Sequence, residues 1–353
     1  MEAAAAERVR EYGGDGVGLF RTEFLYMNRS TLPSEEEQFA HYRAAVRKMG
    51  GKDVTIRTMD IGADKQTPAL DLGREENPFL GFRAIRVCLA KPDILRTQLR
   101  AILRASAFGP VKIMFPMISR MSELDQALAI LEECKAQLRQ EGKAFDEAIR
   151  IGIMVEIPSV AILASQFIQK VDFFSIGSND LTQYTLAVDR MNEKIDYLYD
   201  GLDPAVLTLI RASVQAVDQS GGGKTCGLCG ELGSDPKAIP ILLGLGLRHL
   251  SVNPSALLQT KRLISQLHRS DLERAVSQPV TPHPASFPLS IPRSEQRGML
   301  IFYSGRTPCD GPNWSINTKH HLTPGGLRNA GTKPLTAGTP QHIINVVNYL
   351  RGM

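Results

Sequence analysis

The chain has 353 residues, of which 43% are hydrophobic and 22% charged, and its formal net charge is +4. That is material for one large domain or two smaller ones, with an ample core. Residues 282–353 hold seven Lys and Arg against two acidic residues, which leaves the rest of the chain at −1 and argues against a nucleic-acid binder that relies on a basic surface. No run approaches the roughly 18 apolar residues that span a bilayer. The charged start M-E-A-A-A-A-E-R-V-R lacks the basic flank and apolar core of a secretory signal. Five cysteines, odd in number and irregular in spacing, fit a reducing cytoplasm better than a disulfide framework. A cytoplasmic protein without membrane insertion is expected.

Short, nearly continuous apolar runs recur along the chain. They are G-V-G-L-F-R-T-E (16–23), V-T-I-R-T-M-D (54–60), V-K-I-M-F-P-M (111–117), I-G-I-M-V-E-I-P (151–158), D-F-F-S-I-G-S-N-D (172–180), T-C-G-L-C-G-E (225–231) and L-R-H-L-S-V-N (247–253). Strands buried on both faces read this way. Helical patterns separate them. Ser34–Met49 opens after Pro33 with a Ser34-x-x-Glu37 capping box. Ser122–Arg139 sets Leu124, Leu128, Leu131 and Leu138 on one stripe. The alternation predicts right-handed βαβ units around a parallel sheet. An eighth strand is expected around Phe82–Arg86, where the alternation needs one. The expected fold is α/β, a (β/α)8 TIM-type barrel over residues 1–280, with a doubly wound open sheet as the alternative. Residues 282–353 contain nine Pro and eight Gly and one short helical pattern, Gln341–Leu350. The segment 281–353 is expected to be a largely disordered tail.

Function is suggested by where the polar residues fall. In a parallel barrel the active site lies at the C-terminal ends of the strands. Here the runs end in Arg21-Thr22-Glu23, Arg57-Thr58-Met59-Asp60, Glu156, Asn179-Asp180 and Cys229-Gly230-Glu231, with Arg83 and Arg190 in neighbouring segments. One arginine at a strand end can simply pair with a nearby carboxylate. Four converging on one mouth call for anionic partners, and the guanidinium fork suits phosphate and carboxylate. Glu156 and Asp180 end successive strands and suggest Mg²⁺, which takes one or two carboxylates and completes its shell with water and substrate oxygens. Salt bridges to the same arginines are the plainer alternative. No His-x-x-His or Glu-x-x-His cluster points to a zinc hydrolase.

The pair Cys226-x-x-Cys229 admits a zinc half-site, a redox dithiol or two unrelated thiols. Cys88, Cys134 and Cys309 offer no second zinc pair at useful spacing. In an extended segment the two cysteines have opposite parity and face opposite sides. Cys226 then reads as a small core residue and Cys229 as the thiol at the rim.

These motifs coincide with a family. The stretches G-V-G-L-F-R-T-E-F-L-Y-M, T-M-D-I-G-A-D-K, E-E-N-P-F-L-G-F-R-A-I-R, I-L-R-A-S-A-F-G, I-M-F-P-M-I, V-E-I-P, S-I-G-S-N-D-L-T-Q-Y-T-L-A-V-D-R and C-G-E-L-G-S-D run in order over about residues 14–270. The chain resembles the C-terminal, phosphoenolpyruvate-binding part of Enzyme I, the phosphotransferase of the bacterial sugar phosphotransferase system. The resemblance implies that Arg21, Arg57, Arg83 and Arg190 hold the phosphate and carboxylate of phosphoenolpyruvate. It implies that Asn179 and Asp180 also face the substrate, that Glu156 and Asp180 ligate Mg²⁺, and that Cys229 is the acid or base at the methylene carbon. It further implies a homodimer formed through the barrel.

The chain departs from the family in two places. None of its seven histidines has the Thr-Ser-His-Thr-Ala-like context of the phosphorylated residue, and a chain without the family's N-terminal phosphohistidine and carrier-docking domains is expected. It is expected to bind phosphoenolpyruvate and Mg²⁺ and to release pyruvate only with an N-terminal phosphohistidine domain, through which the histidine carrier protein is reached. The alternatives are a barrel fragment of a pyruvate phosphate dikinase or phosphoenolpyruvate synthase-like enzyme, and a non-catalytic module that binds phosphoenolpyruvate or dimerises with a longer partner. The tail after about 280 matches nothing in the family.

Overall fold

Each apolar run becomes a strand that stops at or just before its polar end. A computed structural model describes residues 8–277, apart from Asp64 and Gln66, together with the backbone of 343–348. The strands are β1 (Gly16–Phe20), β2 (Asp53–Arg57), β3 (Val111–Phe115), β4 (Arg150–Val155), β5 (Phe173–Gly177), β6 (Thr225–Cys229) and β7 (His249–Val252). Neighbours from β1 to β7 pair in parallel, with Val54 opposite Val111 and Ser175 opposite Gly227 as examples. The sheet closes into a barrel, which rules out the doubly wound alternative.

Closure differs from the expectation in one respect. Residues Phe82–Arg86 are not a strand: they form a turn that runs into the helix Ile85–Ala90. The closing strand is β8 (Ile343–Asn348), which lies antiparallel between β1 and β7, with Gly16 opposite Val346 and His249 opposite Asn348. It replaces the helix expected over Gln341–Leu350. The expected disorder of the remaining tail falls outside the described residues.

Helices connect the parallel strands and cover the barrel. The helix Glu35–Met49 starts where Ser34 Oγ accepts from the Glu37 N–H at 3.3 Å and ends at Gly50, whose φ of 58° is left-handed. The helix Pro92–Ser106 buries Leu95, Leu99, Ile102 and Leu103 against it and the sheet. Pro204 opens the helix Pro204–Ser220 after an Asp203 cap. Inside the barrel, Leu19, Met114, Met154, Phe173 and Cys229 form one cluster. Each large side chain buried in this way contributes about 1.5–3 kcal/mol, and the barrel is a packed core rather than a pore. Among the described residues no helix is long and apolar enough to cross a membrane.

Candidate active site

A cavity of about 240 Å³ opens at the C-terminal ends of the strands. All eight residues singled out in the sequence line it: Arg21, Arg57, Arg83, Glu156, Asn179, Asp180, Arg190 and Cys229. Arg57 and Cys229 are the last residues of β2 and β6, and Arg21 and Glu156 directly follow β1 and β4. Asn179 and Asp180 lie in the first turn of the helix Ser178–Leu186, directly after β5. Arg83 reaches the mouth from the long connection after β2, just before Ala84 at a φ of 51°. Asp60 and Lys65 also line the cavity, although sequence reasoning did not name them as site residues. Both were visible as the polar residues of V-T-I-R-T-M-D and T-M-D-I-G-A-D-K.

Asp60 is the hub of the charges. Its Oδ2 takes Arg57 Nη2 at 3.0 Å and Lys65 Nζ at 3.2 Å, while Oδ1 takes Arg83 Nη2 at 2.9 Å. Arg57 Nη2 also meets Glu23 Oε1 at 2.6 Å, and Arg83 Nη2 meets Asp180 Oδ2 at 3.1 Å. Arg57, Arg83, Asp60 and Glu23 are each no more than 5% exposed. Burial alone would raise the two carboxylates. For Asp60, Lys65, Arg57 and Arg83 outweigh it and hold the group well below the usual range. For Glu23, Arg57 and then Lys65 outweigh it and lower the group. Three of the four arginines therefore have carboxylate partners of their own, the plainer of the two sequence readings.

Two groups do not. Among the described residues no carboxylate pairs with Arg21, and its buried Nε has no hydrogen-bond partner. Glu156 is 2% exposed, accepts one hydrogen bond from the Met117 N–H at 2.6 Å, and pairs with none of the arginines. Burial, then Asp180 and Asp60, push its carboxyl up to about 8. Asp180 Oδ1 lies 3.1 Å from Arg190 Nη1, yet that contact is not aligned as a hydrogen bond and the oxygen stays buried without one. A free guanidinium awaits an anion, and a buried unpaired carboxylate awaits a proton or a cation. Among the described residues no group of three or more His, Cys, Asp and Glu is placed to hold a metal alone. Two hard carboxylates fit a divalent ion that keeps waters and takes substrate oxygens.

Cys229 lies at the floor of the cavity, 2% exposed. Its Sγ accepts from Ser175 Oγ and donates to the Ile176 carbonyl, both at 3.5 Å. Burial raises its pKa, so it is held as a neutral thiol. Cys226 is also buried but does not line the cavity, and both are free thiols. Gly230, with a φ of 110°, lets the chain turn tightly after Cys229. A Cβ there would stand 2.4 Å from Ser178 Oγ and 2.8 Å from Asn179 Oδ1. That space lets Asn179 Oδ1 accept from the Glu231 N–H at 3.2 Å and leaves its NH2 to a ligand. Gly177 likewise makes room for Glu156, whose Oε2 a Cβ would approach to 2.9 Å.

Comparison with known proteins identifies the family of the barrel. Residues 1–269 match the family model described as PEP-utilising enzyme, PEP-binding domain. Over 265 residues the chain is 56% identical to the phosphoenolpyruvate-protein phosphotransferase of Priestia megaterium, covering 75% of this chain and 46% of that protein. It is 53% identical to the protein of the same name from Staphylococcus carnosus, covering 76% and 47%, and to that of Bacillus subtilis, covering 75% and 46%. The chain spans about half the length of the curated relatives it matches.

Proposed function

Since the chain belongs to the PEP-utilising enzyme, PEP-binding domain family, we propose that its barrel binds phosphoenolpyruvate and carries the catalytic half of a phosphoenolpyruvate–protein phosphotransferase. The phosphoryl group would pass to a histidine on a separate domain, and pyruvate would be released. The observation that carries this is the grouping of the unpaired Arg21, the unpaired Glu156 and the Cys229 thiol around one 240 Å³ cavity. The dikinase- and synthase-like alternative gains nothing from the relatives above, which all carry the phosphotransferase name.

Phosphoryl transfer needs positioning and charge neutralisation more than covalent help from the protein. Arg21 supplies a cation that no carboxylate among the described residues has claimed. Arg57, Arg83 and Arg190 are held in place by Glu23, Asp60 and Asp180 and present their remaining N–H groups to phosphate and carboxylate oxygens. Asn179 donates from its NH2. Glu156 and Asp180 would hold Mg²⁺, which when bound neutralises charge developing on the phosphoryl oxygens. As the P–O bond breaks, the phosphoryl group leaves and its bonding pair stays on the enolate oxygen of pyruvate. The Cys229 thiol, kept protonated by burial, then gives its proton to the methylene carbon, forming the methyl group of pyruvate and a thiolate beside Arg57 and Arg21. In this reading the chain works in the cytoplasm as a homodimer. It meets the histidine carrier protein only through the phosphohistidine domain.

The test is calorimetry of phosphoenolpyruvate with and without Mg²⁺, together with exchange of pyruvate methyl protons with solvent. Mg²⁺-dependent binding that Glu156→Ala abolishes, and exchange that needs Cys229, are expected. Absence of binding in the parent chain would overturn the reading. Binding that Glu156→Ala leaves metal-dependent would overturn the ligand assignment.

A further inference from the structure

We infer that Gln98, which does not line the cavity, is a positioning residue that sets the site by clamping the ends of β1 and β2 together. The inference rests on the reading of the mouth given above.

The β1–β2 ladder ends at Phe20 opposite Ile56. Beyond it lie Arg21 and Glu23 on one side and Arg57 and Asp60 on the other, so the residues that carry the charges sit at or past the last sheet pairing. Gln98 takes over there. It projects from the helix Pro92–Ser106 and is 0% exposed. Its Oε1 accepts from the Met59 N–H at 2.7 Å. Its Nε2 donates to Thr22 Oγ1 at 3.2 Å and to Tyr42 Oη at 3.1 Å. Thr22 Oγ1 in turn donates to the Arg57 carbonyl at 3.0 Å, and Tyr42 Oη to Gln38 Oε1 at 3.0 Å.

The direction of every bond follows from one fact. A backbone N–H can only donate, so the oxygen of Gln98 must face Met59 and the nitrogen must face the two hydroxyls. Thr22 and Tyr42, having accepted, must donate onward. Thr22 and Tyr42 are themselves fully buried, so no water stands in for a lost bond. Thr22 lies between Arg21 and Glu23, and Met59 lies beside Asp60 and two residues beyond Arg57. One amide thus ties the Met59 backbone, in the segment that carries Arg57 and Asp60, to the Thr22 side chain, in the segment that carries Arg21 and Glu23. Leucine would fill the space and hold neither.

Gln98→Leu tests this against Ser106→Ala. Ser106 is on the same helix and is buried, and its hydroxyl donates to the Leu103 carbonyl and accepts from the Asp146 N–H, away from the mouth. Both variants are expected to melt at lower temperature. In folded samples well below melting, Gln98→Leu should bind phosphoenolpyruvate with Mg²⁺ roughly tenfold to a hundredfold more weakly, the scale expected when a site is displaced by about an ångström. Ser106→Ala should bind as the parent does. Binding by folded Gln98→Leu within twofold of the parent would overturn the proposal, as would an equal loss in both variants. If Gln98→Leu does not fold, Thr22→Val removes one arm of the clamp with little change of shape. A measurable loss of affinity supports the proposal and parent-like affinity overturns it. If the parent chain binds no phosphoenolpyruvate, the proposed function fails, and the clamp is judged by amide hydrogen exchange alone. Faster exchange at residues 57–60 in Thr22→Val or Gln98→Leu, with β3 unchanged, supports it. Unchanged exchange at 57–60 overturns it.

Discussion

The two ends of the barrel hold cavities of similar size, about 240 Å³ at the mouth and about 200 Å³ at the opposite end, and both are lined by charged residues. At the far end the charges are dealt with one by one. Lys112 pairs with a half-exposed Asp53, and Arg150 donates to the carbonyls of Asp172 and Gly223. At the mouth the charges are shared. Asp60 serves three cations, Asp180 serves two, and Arg21 and Glu156 are left over. An exposed pair contributes about 0–1 kcal/mol and is complete in itself. A buried, shared network leaves valences that only a ligand can satisfy. Volume does not distinguish a site from a gap here; unfinished electrostatics does.

The comparison breaks most visibly at Arg57. Arg57→Ala strips a partner from both Glu23 and Asp60, and leaving buried charges uncompensated costs about 3–5 kcal/mol. A large fall in melting temperature is expected, and in calorimetry a loss of phosphoenolpyruvate affinity of about a hundredfold or more. Near-parental stability would mean that the network is not shared as described. Next in size, Cys229→Ser should slow pyruvate methyl exchange by about a hundredfold to ten-thousandfold, with phosphoenolpyruvate binding little changed. Cys226→Ser should leave exchange intact, and equal losses would revive a dithiol.

A smaller effect concerns pH. Because burial raises the Cys229 pKa, its contribution to stability is present below the pKa of an unfolded cysteine and is lost as pH rises through the folded value. Below that point it stays a thiol. Alkylation of Cys229 by iodoacetamide should therefore lag behind that of the unfolded chain around pH 8–9. Equal rates would show an ionised thiol at the mouth. Smallest of all, Lys112→Ala at the far end should cost no more than about 1 kcal/mol and leave phosphoenolpyruvate affinity unchanged. A tenfold change in affinity would mean that the two ends are not independent.

Much of this was legible in the sequence, because parallel strands buried on both faces must read as apolar runs and their polar ends must lie at one rim. The runs overshoot the strands by a few residues, as at Arg57-Thr58-Met59-Asp60, since Thr58 to Asp60 leave the sheet to build the site. Two elements were misread for physical reasons. Phe82–Arg86 was placed in the sheet by the need for an eighth strand, whereas F-R-A-I-R is too short and too interrupted to bury both faces. In β8 the doublets of I-I-N-V-V-N also fit a helical period, and only pairing with β1 and β7 lets the β-branched residues act as a strand. The sequence displays charges but not who shares them, so the role of Asp60 as a hub could not be read. Gln98 is harder still. In L-R-T-Q-L-R-A-I-L it looks like one more polar residue of a helix, and only the fold reveals that it is buried between two strand ends.

The shared network also governs how a ligand arrives. Five cations line the mouth against four carboxylates, a formal balance of +1 with Glu156 ionised and +2 with it protonated, the form that its burial and Asp180 favour. An approaching anion therefore feels little long-range field, whatever the strength of the contacts inside. Capture of phosphoenolpyruvate should proceed at an ordinary protein–ligand encounter rate with a shallow dependence on ionic strength. A divalent cation held by Glu156 and Asp180, as proposed above, would shift that balance toward positive, and phosphoenolpyruvate binding that depends more steeply on ionic strength with Mg²⁺ than without it is the expected outcome.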